Sequence, residues 1–555
     1  MAMDSRSTGP HSSPRILFSS PCKPLGPRYG DAFSCSANGA FQLTWAQEGF
    51  RSEDMMWHWG LDLIAENLRA PSVVLQFPTR RRFIRELEHG YDYVGLTLNL
   101  CTLHVARWMC AAVRRVSPRS KIILGGYGTI LPDEELVGDD GLPLGDLICR
   151  GEGISFMRCL LGEPDGPVRH PRMAIDRKVF SVPLREKTGI VFSSVGCPNG
   201  CDFCVTSQYF RKRRISFFPS GRDMFRSMED HAAADPAVSS FSILDEDFLV
   251  DEARGREFLE EARRGGRLHD AMIFTSLRAL SRFTAEEIAS MGVSRIWIGF
   301  EAEGSGYPKL SGRPYAEQVA ALRAVGVSVV ASMIIGYDYQ DRGIIEAEFR
   351  RLCAARPSAI QILLFSPCHG TEAWSRLDGQ GRILDSVRKA YRRHDGFTEL
   401  FRHPHFRPGE LEALAKELSR REFREMGPSM FRLFAAHHEG WRNLKDSPDA
   451  VLRERARASG IRLKRCLTLY PAGMVWAPSR AVRSRIRAEF AEMKADFGPL
   501  SLAQRLAAAV LILLYPWTRW RFAAERFTQP SAQRREYSGN GQSHRTRYQL
   551  VPGIR

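Results

Sequence analysis

The chain has 555 residues, roughly three to four times a typical domain, so two or three domains are expected. Apolar residues make up 44% and charged residues 26%, close to the averages for soluble globular proteins, which excludes a disordered chain and a polytopic membrane protein. The formal net charge of +16, from 79 Lys and Arg against 63 Asp and Glu, favours anionic partners such as nucleic acid or a lipid surface.

No apolar run follows the first residues, Met1 to Arg6, so no secretory signal is read and the cytoplasm is the expected compartment. Residues 1–14 are rich in Ser, Pro and Gly and read as a disordered leader. Apolar runs at 15–18, 72–77, 93–98, 121–126 and 146–150 read as strands, and Val105 to Val113 has helical apolar spacing between the third and fourth. Strands alternating with helices predict a doubly wound, Rossmann-like α/β domain over 15–165. Residues 166–185 contain prolines and are expected to be a linker.

Beyond the linker the alternation restarts, with strands expected at 189–193, 239–244, 271–275, 295–300, 327–335 and 359–365. Six strands with helix-length spacers predict a partial, TIM-like (β/α)6 barrel over 186–375, whose chemistry would sit at the C-terminal strand ends. A helical, Arg-rich region is expected over 376–499. Within 500–527, residues 506–515 are wholly apolar, but ten helical residues span only about 15 Å, half the hydrocarbon thickness of a bilayer. Arg505, Trp517, Arg519, Trp520 and Arg521 flank the run. The segment therefore reads either as an anchor on an anionic membrane surface or as a core helix ended by a basic turn at Pro516. The polar tail, 528–555, is expected to be disordered.

Twelve cysteines in a chain this long are too few for a disulfide scaffold, and clustered ones in a reducing compartment point to metal binding or catalysis. Cys197, Cys201 and Cys204 stand at C-x3-C-x2-C directly after the first strand of the second sheet. A structural zinc site takes four closed ligands, usually as two Cys-x-x-Cys pairs, and no second pair exists. Three thiolates suit an iron-sulfur cluster with one iron left open for a small molecule; buried free thiols or zinc are the plainer alternatives.

This loop, with Phe203 before its last cysteine, resembles the hallmark of the radical S-adenosylmethionine (radical SAM) enzymes. The resemblance implies that Cys197, Cys201 and Cys204 ligate three irons of a [4Fe-4S] cluster. S-Adenosylmethionine would chelate the fourth and be cleaved to a 5'-deoxyadenosyl radical that takes hydrogen from substrate. It also implies a flavodoxin- or ferredoxin-type low-potential electron donor. Further cofactor contacts are expected at successive strand ends: Asp245, Glu246 and Asp247 toward the methionine ammonium, Arg278 toward its carboxylate or else as a surface charge, Glu301 toward the ribose or amine, and Gly336 near adenine. A Pro-x-x-Gly-Thr segment, Pro367 to Thr371, follows the sixth strand.

The first domain resembles the cobalamin-binding domain that precedes the radical domain in one large subclass. Thr97, Gly125, Gly126, Gly151 and Glu152 lie at the matching strand ends, where glycines would let the backbone approach a corrin and its nucleotide tail. No histidine has Asp two residues before it, so the Asp-x-His-x-x-Gly cobalt ligand of many cobalamin proteins is absent; His58 is the nearest odd candidate, against an ordinary core or surface role. The resemblance implies a cobalamin-dependent radical SAM enzyme that methylates an unactivated carbon, or one that cyclises or rearranges its substrate without methylating it. A small-molecule or lipidic substrate is expected, with peripheral contact at the inner face of the membrane. An RNA-modifying methylthiotransferase would carry further cysteines for a second cluster, and no further Cys-x-x-Cys pair is present. A nucleic-acid-binding cobalamin or redox sensor has no helix-turn-helix or repeated basic motif behind it, so nucleic acid is not expected as a partner.

Overall fold

The computed structural model describes residues 13–26, 41–52, 57–180, 182–265, 268–524 and 529–539; the expectations for residues 1–12 and for the tail from 540 fall outside them. The chain divides into two compact units, one of residues 1–25, 57–171 and 529–555, the other of residues 26–56 and 172–528.

The first unit is built on β1 (Ile16–Ser19), β2 (Ser72–Gln76), β3 (Tyr93–Thr97), β4 (Lys121–Gly125) and β5 (Leu147–Ile148). They run in parallel in the order β2-β1-β3-β4-β5, as expected of a doubly wound sheet. Their apolar runs are continuous because both faces are covered: Leu17, Val74, Val94 and Ile122 are fully buried. The helix Leu103–Val116 turns Val105, Met109, Ala112 and Val113 inward. The order reverses between β1 and β3, and a sheet of this kind opens a ligand crevice outside the carboxyl ends of its strands at that point.

The described part of the tail departs from its expected disorder. Gln533–Tyr537 forms a strand antiparallel to β2 on the outer edge of this sheet. Its anchor is Asp62, fully buried, which accepts hydrogen bonds from Arg535 Nη1 at 2.8 Å, the Tyr537 hydroxyl at 2.7 Å and Gln76 Nε2 at 3.1 Å. A buried carboxylate needs these donors, and the strand supplies two of the three.

The second unit opens with β6 (Met173–Val179) and β7 (Val182–Phe192), an antiparallel hairpin where a linker was expected. Met173 and Ile175 are buried while Asp176 and Arg177 are exposed, so the half-polar composition is that of an edge strand. Pro183 lies beside that edge strand, a place where a missing N–H is tolerated. A two-residue ladder follows, β8 (Ser194–Val195) with β9 (Ile215–Ser216). Next come β10 (Val238–Leu244), β11 (Asp270–Thr275), β12 (Val293–Glu301), β13 (Ser328–Ile335) and β14 (Ala359–Leu364). The sheet order is β14-β13-β12-β11-β10-β7-β6, parallel from β7 to β14, the expected six-stranded partial barrel. Ile273, Ile296 and Ile298 face the helices and share a core with Met224, Phe225 and Phe258.

Residues 41–52 belong to this unit rather than to the 15–165 domain in which the sequence places them. Phe50 is buried against Tyr515, Phe180 and Phe431, with centroids 4.7, 5.7 and 5.8 Å away. The helices Glu410–Met426, Ser429–Leu444, Ala450–Cys466 and Arg480–Phe497 continue the unit as expected. The last helix, Leu502–Ala523, runs straight through Pro516, where a turn was one of the two expectations. Proline lacks an N–H and leaves the carbonyl four residues earlier without its helical donor. Here the Trp476 indole N–H donates to the Ile512 carbonyl at 3.0 Å and fills that gap. Among the described residues, no helix is long and apolar enough to cross a membrane.

Candidate active site

The C-x3-C-x2-C loop lies between β8 and the short helix Val205–Tyr209, at the carboxyl end of β7. Gly196 enters it at φ +81°, and a Cβ there would stand 2.2 Å from the Arg213 carbonyl, so only glycine fits. Ser207 ties the loop together, accepting from the Gly200 N–H at 3.1 Å and donating to the Cys197 carbonyl at 2.9 Å. Cys197 and Cys201 are buried and Cys204 half-buried, and all three are free thiols. Burial pushes Cys197 up to about 12 and Cys201 to about 11, and Cys204 is raised for the same first reason. The Cys204 sulfur raises the other two further. Among the described residues no His, Cys, Asp and Glu side chains close on a single metal ion. A [4Fe-4S] cube takes each thiolate on a different iron, so three thiols on one glycine-shaped loop fit the cluster better than they fit zinc.

The acidic run after β10 splits into three fates. Asp245 forms a buried pair with Arg254 and accepts from the Ser193 hydroxyl at 2.7 Å and from the Asp247 N–H at 3.2 Å. Burial alone would raise its carboxyl; the Arg254 guanidinium and the serine more than offset this and hold it below its ordinary value. Its partners within the chain make it a buried ion pair. The Asp247 carboxylate accepts from Asn199 Nδ2 at 2.9 Å, the Thr275 hydroxyl at 2.9 Å and the Ser276 N–H at 3.2 Å. Arg278 donates to Asn199 Oδ1 at 2.9 Å, so it is neither a surface charge nor isolated. Asp247 and Arg278 thus meet on Asn199, inside the cysteine loop, and join it to the ends of β10 and β11. Glu246 is exposed and close enough to raise the Cys197 and Cys204 thiols.

Glu301 ends β12 at φ +54°, a region that costs a non-glycine residue about 1–3 kcal/mol and collects at functional sites. Its carboxylate pairs with Lys309 through Oε1, while Oε2 is buried with no hydrogen-bond partner. Burial would lower the Lys309 ammonium; Glu301, Cys201 and Cys204 outweigh it and leave its pKa raised. The ammonium stands 5.6 Å over the Phe203 ring, which packs edge-on against Tyr307 and Phe365. The Tyr307 hydroxyl donates to Asp202 at 2.6 Å, and Arg376 pairs with the same carboxylate at 2.7 Å. Gly336 ends β13 at φ +96°, its N–H on Gln340 Oε1 at 2.7 Å. Sequence reasoning missed Asn199, Asp202, Tyr307 and Lys309. Asn199 and Asp202 lie inside the motif and were legible there as spacers only; Lys309, eight positions past Glu301, carried no sequence signal.

In the first unit, Thr97, Gly125 and Gly126 end β3 and β4. A Cβ on Gly126 would meet the Leu98 carbonyl at 2.9 Å, so this glycine serves chain packing. A Cβ on Gly125 would meet Cys149 at 3.8 Å, an ordinary van der Waals contact, and one on Gly151 meets nothing within 4 Å. Glu152 caps the helix Gly153–Leu161, accepting from the Ile154 and Ser155 N–H groups. Burial lowers His58 to about 4, and its ring lies 5.4 Å from Phe77, an apolar packing site.

No family model matches the chain. Among curated proteins, the uncharacterized methyltransferase PH0819 of Pyrococcus horikoshii is 20% identical over 364 residues, covering 59% of this chain and 77% of the relative. Among solved structures, the radical SAM methyltransferase TsrM of Kitasatospora setae aligns in two forms. With cobalamin and a [4Fe-4S] cluster bound it shows 14% identity and a TM-score of 0.47, over 81% of this chain and 100% of that one. With tryptophan substrate and a SAM analogue bound it shows 13% and 0.48, over 87% and 100%. Methylornithine synthase aligns more narrowly, over 45% of this chain and 68% of its own, at 15% identity and a TM-score of 0.26.

Proposed function

We propose that the protein is a radical SAM methyltransferase that uses cobalamin to methylate an unactivated carbon of a small or lipidic substrate. The observation that carries this reading is the cysteine loop at the carboxyl end of a parallel half-barrel, within electrostatic reach of Lys309, whose partner Glu301 holds a buried, unpartnered carboxylate oxygen. A relative named as a methyltransferase supports the same chemistry. When bound, the cluster and S-adenosylmethionine would supply a 5'-deoxyadenosyl radical, and cobalamin a methyl group.

The residues divide the work as follows. Cys197, Cys201 and Cys204 hold the cluster. Glu301 Oε2 is the free acceptor for an ammonium or ribose hydroxyl, and Lys309 balances the charge that cluster thiolates bring to a buried place. Asp247, Asn199 and Arg278 fix the loop against the strand ends, and Phe203 with its aromatic neighbours keeps water from that side. Gly125 and Gly151, where an added Cβ meets no clash, would be the cobalamin-facing positions of the first unit.

Two measurements on anaerobically reconstituted protein with a strong reductant test the reading. Cys201→Ala is expected to abolish 5'-deoxyadenosine formation, and retained formation overturns the radical assignment. Near-stoichiometric corrinoid in the visible spectrum of wild type is expected; its absence with an intact cluster removes methyl transfer and leaves hydrogen abstraction.

A further inference from the structure

The helix Leu502–Ala523 has two apolar faces. Ala508, Tyr515, Thr518 and Phe522 are buried against the second unit, where Tyr515 stacks on Trp476 at 5.1 Å with the planes 13° apart. On the other face Leu502, Leu506, Val510, Leu513, Trp517 and Trp520 follow one another at steps of three or four residues. Their exposure runs from 48% at Trp517 to 77% at Leu513. At 1.5 Å per residue this stripe is about 27 Å long. Single exposed apolar side chains are ordinary, whereas a continuous stripe of this length marks a surface made to be covered. The indole hydrogen bond that carries the helix through Pro516 keeps the stripe unbroken.

The charge on the helix selects what covers it. Its 22 residues contain Arg505, Arg519 and Arg521 and no Asp or Glu. Arg521 lies 4.8 Å over the Trp517 ring, and Arg519 reaches Glu48 at 3.2 Å while remaining half exposed. A second copy seated on the stripe would bring arginine flanks against arginine flanks with no carboxylate on either helix to pair them. An anionic surface has the complementary sign. Tryptophans at one end of an apolar face, with arginines beside them, match the depth profile of a headgroup boundary, and the helix is too polar on its flanks to span.

We propose that this helix docks the protein on an anionic lipid bilayer, lying in the plane of the interface with the Leu502-to-Trp520 stripe entering the headgroup boundary. The test is flotation of the full-length, cluster-loaded protein with vesicles of phosphatidylcholine alone and of equal parts phosphatidylcholine and phosphatidylglycerol. Wild type is expected to float with the anionic vesicles at least about tenfold more strongly than with the neutral ones. The exposed triple substitution Leu506→Gln, Val510→Gln, Leu513→Gln is expected to lose that binding, at an unchanged melting temperature and unchanged corrinoid content. Arg505→Gln with Arg521→Gln is expected to lose the preference for anionic lipid. Wild type that fails to float, or a triple variant that floats like wild type, overturns the proposal. A dimer in solution that the triple substitution splits, without vesicle binding, overturns it in favour of a second copy.

Discussion

Asp245 and Asp247 lie two residues apart at the end of one strand, joined by a hydrogen bond from the Asp247 N–H to Asp245 Oδ1 at 3.2 Å, and their carboxylates answer different partners. Asp245 neutralises Arg254, whose side chain is almost fully buried; removing the carboxylate strands that guanidinium, which typically costs about 3–5 kcal/mol. Asp245→Ala is therefore expected to lower the urea midpoint strongly. Nothing in the local sequence separates the two, because the choice depends on Arg254, one helical turn into the next helix. The cysteines needed no such context: their spacing and their place after a strand carried the reading. Glu489 shows a titration the sequence does not announce. Burial raises it from 4.5 to about 7, with the Tyr470 hydroxyl donating to it at 2.5 Å. The folded state then holds this proton more tightly than the unfolded chain. Its contribution is full below the unfolded value and is lost as pH rises through about 7. Glu489→Gln, which keeps the acceptor oxygen, is expected to match wild type in acid and to exceed it by about 3 kcal/mol well above neutrality in urea titrations.

At the scale of elements, the parallel strands were legible because strands covered on both faces become continuous apolar runs, as in Ile16 to Phe18 or Val329 to Ile335. Where the structure departs from the expectations, the causes are exposure in one case and partners far along the chain in the other two. The β6–β7 hairpin is half exposed and reads as a linker. The strand Gln533–Tyr537 reads as tail because its Arg535 is explained only by Asp62, 473 positions away. One of the two readings of the last helix ends it at Pro516, because its missing donor comes from Trp476. That last repair makes a sharp prediction: Trp476→Phe keeps the ring stack on Tyr515 and removes the indole N–H. The bare Ile512 carbonyl is expected to cost about 1–3 kcal/mol, with faster amide exchange in the last helix than in its neighbours.

For the whole molecule, the two units are not consecutive along the chain. The first takes its outermost strand from residues 533–537, and the second takes Phe50 and its neighbours from within the span of the first. Removing residues 529–555 is expected to leave the edge of β2 bare and Asp62 with Gln76 as its remaining partner. Limited proteolysis should then cut the first unit selectively while the second stays resistant. The interleaving also orders events on the ribosome. Every strand of the half-barrel has left the exit tunnel before the strand that finishes the first sheet is made. The earliest-synthesised sheet is thus the last to be completed, and for most of translation it waits with one edge open.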